Sequence, residues 1–226
     1  TILLPSESKI VRLDIQKRGE NIAYIEGAGD AVPESLQQIG YNIVKIKPED
    51  ITAESLSRFD AVVVGVRAYK TVPQLKFKQK DLLNFVEKGG NLIVQYNKTV
   101  RRGGANPQAP FNLKVSSDRV TEENAEVQFL AKDHSILNYP NKITQEDFEG
   151  WVQERGLYFP NEWSNEYTPI LSMNDTGETP KQGSLLVAKY GKGYYIYTGL
   201  SFFREFPAGV SGAYRLFANM LSIGKD

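Results

Sequence analysis

The chain has no cysteine and a single histidine, His134. The first absence excludes a disulfide framework, a thiolate nucleophile and cysteine-ligated zinc. The second excludes a zinc site built on two or three histidines of one chain, and HExxH with it. Net charge is absent as well: 27 Lys and Arg offset 27 Asp and Glu, so no global field attracts nucleic acid or an anionic membrane. No apolar run approaches the roughly 20 residues that span a bilayer, and no signal-peptide pattern opens the chain. It begins on Thr1, which reads as a fragment or mature form of a longer protein.

What is present is ordinary in amount. The 226 residues, 41% hydrophobic and 24% charged, suffice for one large domain or two small ones. Residues 1–19 read as a linker or an added strand from an upstream neighbour. A regular alternation then begins. NIAYIE (21–26), YNIVKI (41–46), DAVVVG (60–65) and NLIVQY (91–96) read as strands. Segments 30–39, 51–59 and 75–90 read as the helices between them, with Asp30 as a cap and Gly89-Gly90 as a stop. Strand and helix at this pace imply parallel strands with right-handed crossovers. In the second half, AEVQFL, TPILSM (168–173), SLLVAKY (184–190) and YYIYTGL (194–200) read as strands joined by turns such as NDTGE and GKG. RRGGANPQAP (101–110) reads as a loop, and GAYRLFANMLSI (212–223) as a closing helix. The expected fold is an α/β flavodoxin-like parallel sheet with flanking helices and β-hairpin additions, forming one domain over 20–226.

Ligands of such sheets bind beyond the carboxyl ends of the strands. Those ends carry Glu26 to Asp30, Gly65 to Tyr69, Tyr96-Asn97-Lys98 and Gly199 to Arg204. Gly27-x-Gly29-x-x-Val32 is a broken dinucleotide fingerprint: its third glycine is missing, and Asp30 puts negative charge where a pyrophosphate would sit. A tight turn before a capped helix accounts for it equally. Arg67 and Tyr69 are either a solvated loop or a pocket wall able to hold an anion or hydroxyls. His134 is either a catalytic base or a structural residue beside the sheet. EDFEGWVQERGLYFPNEW (146–163) concentrates aromatics and acids, the combination that holds sugar rings. Its paired acids also admit glycoside hydrolysis, and a covering loop filling the core is the plain alternative.

These segments together resemble a known kind of domain. IAYIEGAGDAVPESLQQIGYNIVKI, FDAVVVGVRAY, FVEKGGNLIVQYN, DHSIL, DFEGWVQERGLYFPNEW and YGKGYYIYTGLSFFREFPAGVSGAYRLFANML look like the C-terminal domain of LmbE-like (PIG-L family) deacetylase proteins of Bacteroidetes-type bacteria. That domain is similar to class I glutamine amidotransferase and ThuA-like folds, and the likeness spans about residues 20 to 226. It implies that strand 91–96 corresponds to the elbow strand of the amidotransferases, where a Cys nucleophile sits on a sharp turn. Here Tyr96-Asn97 occupy that place, so glutaminase chemistry does not carry over. The LmbE-type zinc site belongs to a separate N-terminal domain and has no counterpart in this chain.

The resemblance and the residues combine into three expectations. The first is a non-catalytic accessory domain binding carbohydrate or another polar ligand. It would be joined to an upstream deacetylase domain that acts on N-acetylated sugars, in a secreted or periplasmic protein. Its ligand site is expected from Glu26, Asp30, Arg67, Tyr69, Tyr96, Asn97, His134, Glu149, Trp151 and Arg204, on an elbow turn retained at Tyr96-Asn97. No metal, cofactor, nucleic acid or membrane is expected, and a homodimer is admitted. The second is a hydrolase using His134 with Glu149 or Glu154. The third is a structural domain serving docking or dimerisation.

Overall fold

The computed structural model describes residues 10–97 and 109–225. The loop expected over 101–110 and the strand-end residue Lys98 fall almost wholly outside these residues. The first half alternates as its apolar runs require: β1 (Asn21–Ile25), α1 (Val32–Gln38), β2 (Asn42–Lys45), α2 (Ala53–Leu56), β3 (Ala61–Val64), α3 (Ala68–Thr71), α4 (Gln79–Glu87) and β4 (Asn91–Gln95). The second half adds β5 (Leu113–Val120), β6 (Gln128–Phe129), α5 (Ser135–Asn138), β7 (Gly156–Trp163), β8 (Tyr167–Pro169), β9 (Leu171–Ser172), β10 (Leu185–Tyr190), β11 (Gly193–Thr198), α6 (Phe202–Glu205) and α7 (Ser211–Ser222).

The main sheet runs β2-β1-β3-β4-β11-β10-β8. The pairings from β2 through to β11 are parallel, and β10 pairs antiparallel with both β11 and β8. It is an α/β flavodoxin-like sheet with flanking helices and hairpin additions. Successive side chains point to opposite faces, and the two cores follow that alternation. Ile22, Tyr24, Val63, Ile93 and Ile196 pack with Leu216, Phe217 and Leu221 of α7 on one face. Ala23, Ile25, Val62, Val64, Leu92 and Val94 pack with Leu56 of α2 and Leu82, Phe85 and Val86 of α4 on the other. A strand covered on both faces must be apolar throughout, which is why AVVV of β3 is fully buried.

Several elements depart from the sequence reading. The helix expected over 75–90 begins as a 3₁₀ stretch, Pro73–Lys78, and becomes α-helical at Gln79. The N-cap of α1 is Ala31 rather than Asp30. TPILSM divides between two sheets, β8 on β10 and β9 on β6. Residues 156–163, read as part of an aromatic loop, form β7, which pairs with β5 through several register shifts. The segment from Ile10 to Gly19 contains no strand. It is fastened by side chains instead: the backbone of Gln16 exchanges two bonds with Asn141, and the Arg18 N–H donates to Ser222 of α7. The two-residue GKG turn is as expected, with Gly191 at φ 60° between Tyr190 and its partner Gly193.

Candidate functional site

The chain passes from β1 to β2 on one side and returns to β3 on the other, so the topological switch lies between β1 and β3. In open α/β sheets the crevice there is the usual ligand site. Here it is filled by the chain itself. Gly27 lies so close to the next loop that a Cβ would stand 2.1 Å from the Val66 carbonyl oxygen, and the Ala28 N–H donates to that same oxygen at 2.8 Å. Asp30 accepts from the Tyr24 hydroxyl at 2.7 Å, from the Val32 N–H at 3.0 Å and from the Val66 N–H at 3.4 Å. Gln95 donates to the same Tyr24 oxygen. Burial and then the Asp30 charge push the Tyr24 phenol far above its ordinary range, so it stays a donor. An Asp30 carboxylate thus sits where a dinucleotide would present its phosphates. Glu26 is exposed and paired with Lys45 at 2.9 Å.

One strand further along, the polar and aromatic groups converge. Arg67 sits at φ 59°, ψ 19°, a left-handed conformation, and its N–H donates to the Tyr96 carbonyl at 2.9 Å. The Tyr96 ring stacks on Tyr158 at 5.3 Å and lies 5.5 Å from Phe203. Arg204 crosses Phe203 at 5.0 Å and donates to Glu154 at 2.7 Å, with Gln153 as a further partner. Burial raises the Tyr96 phenol above its ordinary range, and the charges of Arg67 and Arg204 offset part of that. Among the described residues, the non-glycine residues with positive φ are Arg67, Gln153 and Tyr158. All three belong to this one cluster.

The sharp turn expected at Tyr96-Asn97 is therefore found on the neighbouring strand, at Arg67. Neither Tyr96 nor Asn97 has positive φ. Asn97 has a bracing duty: its carboxamide accepts from the Tyr69 N–H and donates to the Gln95 carbonyl, tying the end of β4 to α3. The Tyr69 ring turns into the core beneath the sheet, towards Tyr195. Trp151 is 2% exposed, donates its indole N–H to the Asp147 carbonyl and stacks on Phe148 at 5.6 Å. Glu149 is exposed, beyond the short 3₁₀ turn Gln145–Phe148. His134 begins α5, its Nδ1 accepting from the Ile136 N–H at 3.2 Å, and burial holds its pKa below the ordinary value.

Of the ten residues expected at the site, the structure brings Arg67, Tyr96 and Arg204 together, with Asn97 behind them. Glu26 and Asp30 lie at the adjacent strand end, while Tyr69, His134, Glu149 and Trp151 take other positions. Sequence reasoning missed Gln153, Tyr158 and Phe203. The unusual run 146–163 was the signal for the first two, but which aromatic joins the cluster depends on the positive-φ residues Gln153 and Tyr158, which composition does not reveal.

No group of three His, Asp or Glu among the described residues is placed to hold a metal ion, and none of their helices is long and apolar enough to cross a membrane. A depression of about 260 Å³ lies at the opposite end of the sheet, between α2, α4 and Gly89-Gly90. Its lining includes the half-buried Lys225, whose ammonium is already taken by the Gly89 carbonyl at 2.8 Å, whereas the strand-end cluster gathers several polar and aromatic groups and is the better candidate.

Known structures settle the architecture. A proposed GMP synthase subunit from Thermoplasma acidophilum superposes with a TM-score of 0.56 at 12% identity, covering 91% of this chain and 96% of its own. The fold is the class I glutamine amidotransferase-like one. A cytoplasmic protein of Salmonella typhimurium LT2 gives 0.57 at 14% identity, covering 91% of this chain and all of its own. A β-galactosidase from Bacillus circulans gives 0.52 at 12% identity over 90% of this chain, which corresponds to 31% of that enzyme. No family model and no curated protein sequence matches the chain. Beyond β4, Tyr96 bears a phenol, a group that orients ligands without readily forming an acyl intermediate.

Proposed function

We propose that the chain is a non-catalytic domain that binds a carbohydrate or similar hydroxylated ligand on the half-buried Tyr158 and Phe203 rings, backed by the buried Tyr96, with Arg67, Arg204 and Glu154 at their margin. The observation that carries this reading is the concentration of strain. Left-handed backbone at a non-glycine residue costs of order 1–3 kcal/mol, and Arg67, Gln153 and Tyr158 all adopt it around one aromatic platform. Ring faces beside charged hydrogen-bonding groups suit the CH faces and hydroxyls of a sugar. His134 is engaged elsewhere, starting α5, and the Glu154 carboxylate at the site is held by Arg204, which favours binding over hydrolysis.

A resemblance to LmbE-like proteins assigns the domain to a larger deacetylase of N-acetylated sugars, secreted or periplasmic, with the upstream catalytic domain as its partner. The β-galactosidase, in which a domain of this shape makes up about a third of the chain, is a precedent for such an accessory part in an enzyme of glycans.

The test is a thermal-shift screen against neutral, N-acetylated and acidic saccharides. A ligand at a hundredfold excess over its Kd stabilises by about 2.7 kcal/mol, equivalent to a rise of roughly 5–10 °C in a domain of this size. The rise should disappear in Tyr158→Ala and in Phe203→Ala and persist in His134→Ala. No rise with any saccharide at millimolar concentration would leave the domain a structural role.

A further inference from the structure

We infer that the ligand of this site carries a carboxylate, held by Arg67, so that the preferred class is an acidic saccharide of the uronic-acid type. The inference rests on the sugar-binding reading and narrows it. Two guanidiniums flank Tyr96, and they are in different states. Arg204 is satisfied by the Glu154 carboxylate at 2.7 Å and by the Gln153 carboxamide. Arg67 has no carboxylate partner among the described residues, and its Nε is shielded from solvent with no hydrogen-bond acceptor.

Buried polar atoms without partners are rare, and a guanidinium N–H is among the more expensive to leave so. The backbone here adds a second argument. Arg67 is fixed in the left-handed region by its N–H bond to the Tyr96 carbonyl and by its own carbonyl, which accepts from Lys70 and Thr71. Glycine or asparagine would adopt this conformation with less strain. An arginine held there is directed from a rigid base rather than left to sweep through solvent.

Charge decides the kind of anion. Among the described residues, the charged groups acting on the Tyr96 phenol are Arg67, Arg204 and Glu154, and of the two guanidiniums Arg67 is the one without a carboxylate. A single planar carboxylate matches its charge and the guanidinium fork. A phosphate monoester carries about −1.5 to −2 near neutrality and would bring its excess charge towards Glu154. The Tyr158 and Phe203 rings, backed by the buried Tyr96, then receive the apolar face of the sugar ring that bears the carboxylate.

The experiment is calorimetric titration of the whole chain with tri-galacturonate, galactotriose and galactose 6-phosphate, on the native protein and on Arg67→Asn and Arg67→Lys. Asparagine tolerates the left-handed backbone and removes the cation, so the fold is kept. A charge-assisted bond of this kind predicts that tri-galacturonate binds about tenfold or more tightly than galactotriose. That preference should vanish in Arg67→Asn and return in part in Arg67→Lys. Equal binding of the two trisaccharides, unaffected by Arg67→Asn, overturns the carboxylate while leaving sugar binding in place. Tighter binding of the sugar phosphate overturns it in favour of a different anion. Binding of none of the three overturns the sugar-site reading and the carboxylate with it.

Discussion

Trp151 shows how far a residue type can mislead when its surroundings are unknown. In the sequence it stands among acids and aromatics, as a sugar-stacking residue would. In the structure its ring is enclosed by Phe148, Phe202 and the Arg155 guanidinium, with its N–H on a backbone carbonyl. Trp151→Ala should therefore cost about 3–5 kcal/mol of stability, visible as a large drop in the denaturant midpoint, while any saccharide affinity measured below the melting temperature stays unchanged. A variant of native stability with weakened binding would return Trp151 to the ligand site. Arg67 is the opposite case. Its type and its place after β3 are readable in the sequence, but the unpartnered Nε and the left-handed backbone follow from how β4 and its neighbours pack.

At the scale of elements, the parallel strands are the most legible part. AVVVG and NLIV are apolar because both faces of those strands are covered, and no alternative element buries such runs as well. β7 is illegible for the converse reason: its register with β5 shifts repeatedly, so no alternation of two survives in GLYFPNEW. α5 is too short to show helical periodicity, so the sequence presents His134 without its helix. That helix gives His134 a measurable task. Its Nδ1 can accept from the Ile136 N–H only while the ring nitrogen is unprotonated. His134→Ala should cost about 0.5–2 kcal/mol and His134→Asn much less. The folded-state pKa lies below the ordinary value of 6.5, so this contribution is complete above that pH and is lost as pH falls through the folded value. Melting curves of native protein and His134→Ala between about pH 5 and 8 should converge towards the acid end. A gap of constant size would mean the imidazole does not act as a cap.

For the whole molecule, the fold is legible because it is a pattern repeated along the chain. The candidate site is only partly so because it is assembled across it: Arg67 follows β3, Tyr96 follows β4, Gln153 precedes β7, Tyr158 lies in it, and Phe203-Arg204 lie in α6. Glu205 joins two of these segments. Its carboxylate accepts from the Val152 N–H at 2.9 Å and from the Ser201 hydroxyl at 3.2 Å. Burial pushes its pKa up from 4.5 to about 7, against the opposing pull of those two bonds and of Arg155. The folded value exceeds the unfolded one, so the native state binds the extra proton. The protein is stabilised by this group below about 4.5 and loses that increment as pH rises through about 7. Glu205→Gln, which keeps the shape and removes the ionisation, should raise the melting temperature at about pH 8 and have little effect at about pH 5. An equal loss at both would show that the effect does not depend on ionisation of Glu205, which would remove this pH dependence.

The Asp30 arrangement has a consequence for selectivity. Wherever a sheet of this kind lends its switch-point crevice to nucleotides, any phosphate-bearing metabolite competes for the same amides. Here the chain has stationed its own counter-anion among them, braced by Tyr24 and Gln95. That carboxylate repels phosphate esters from the crevice, and the proposed site lies one strand along, on a surface of aromatic faces rather than backbone amides.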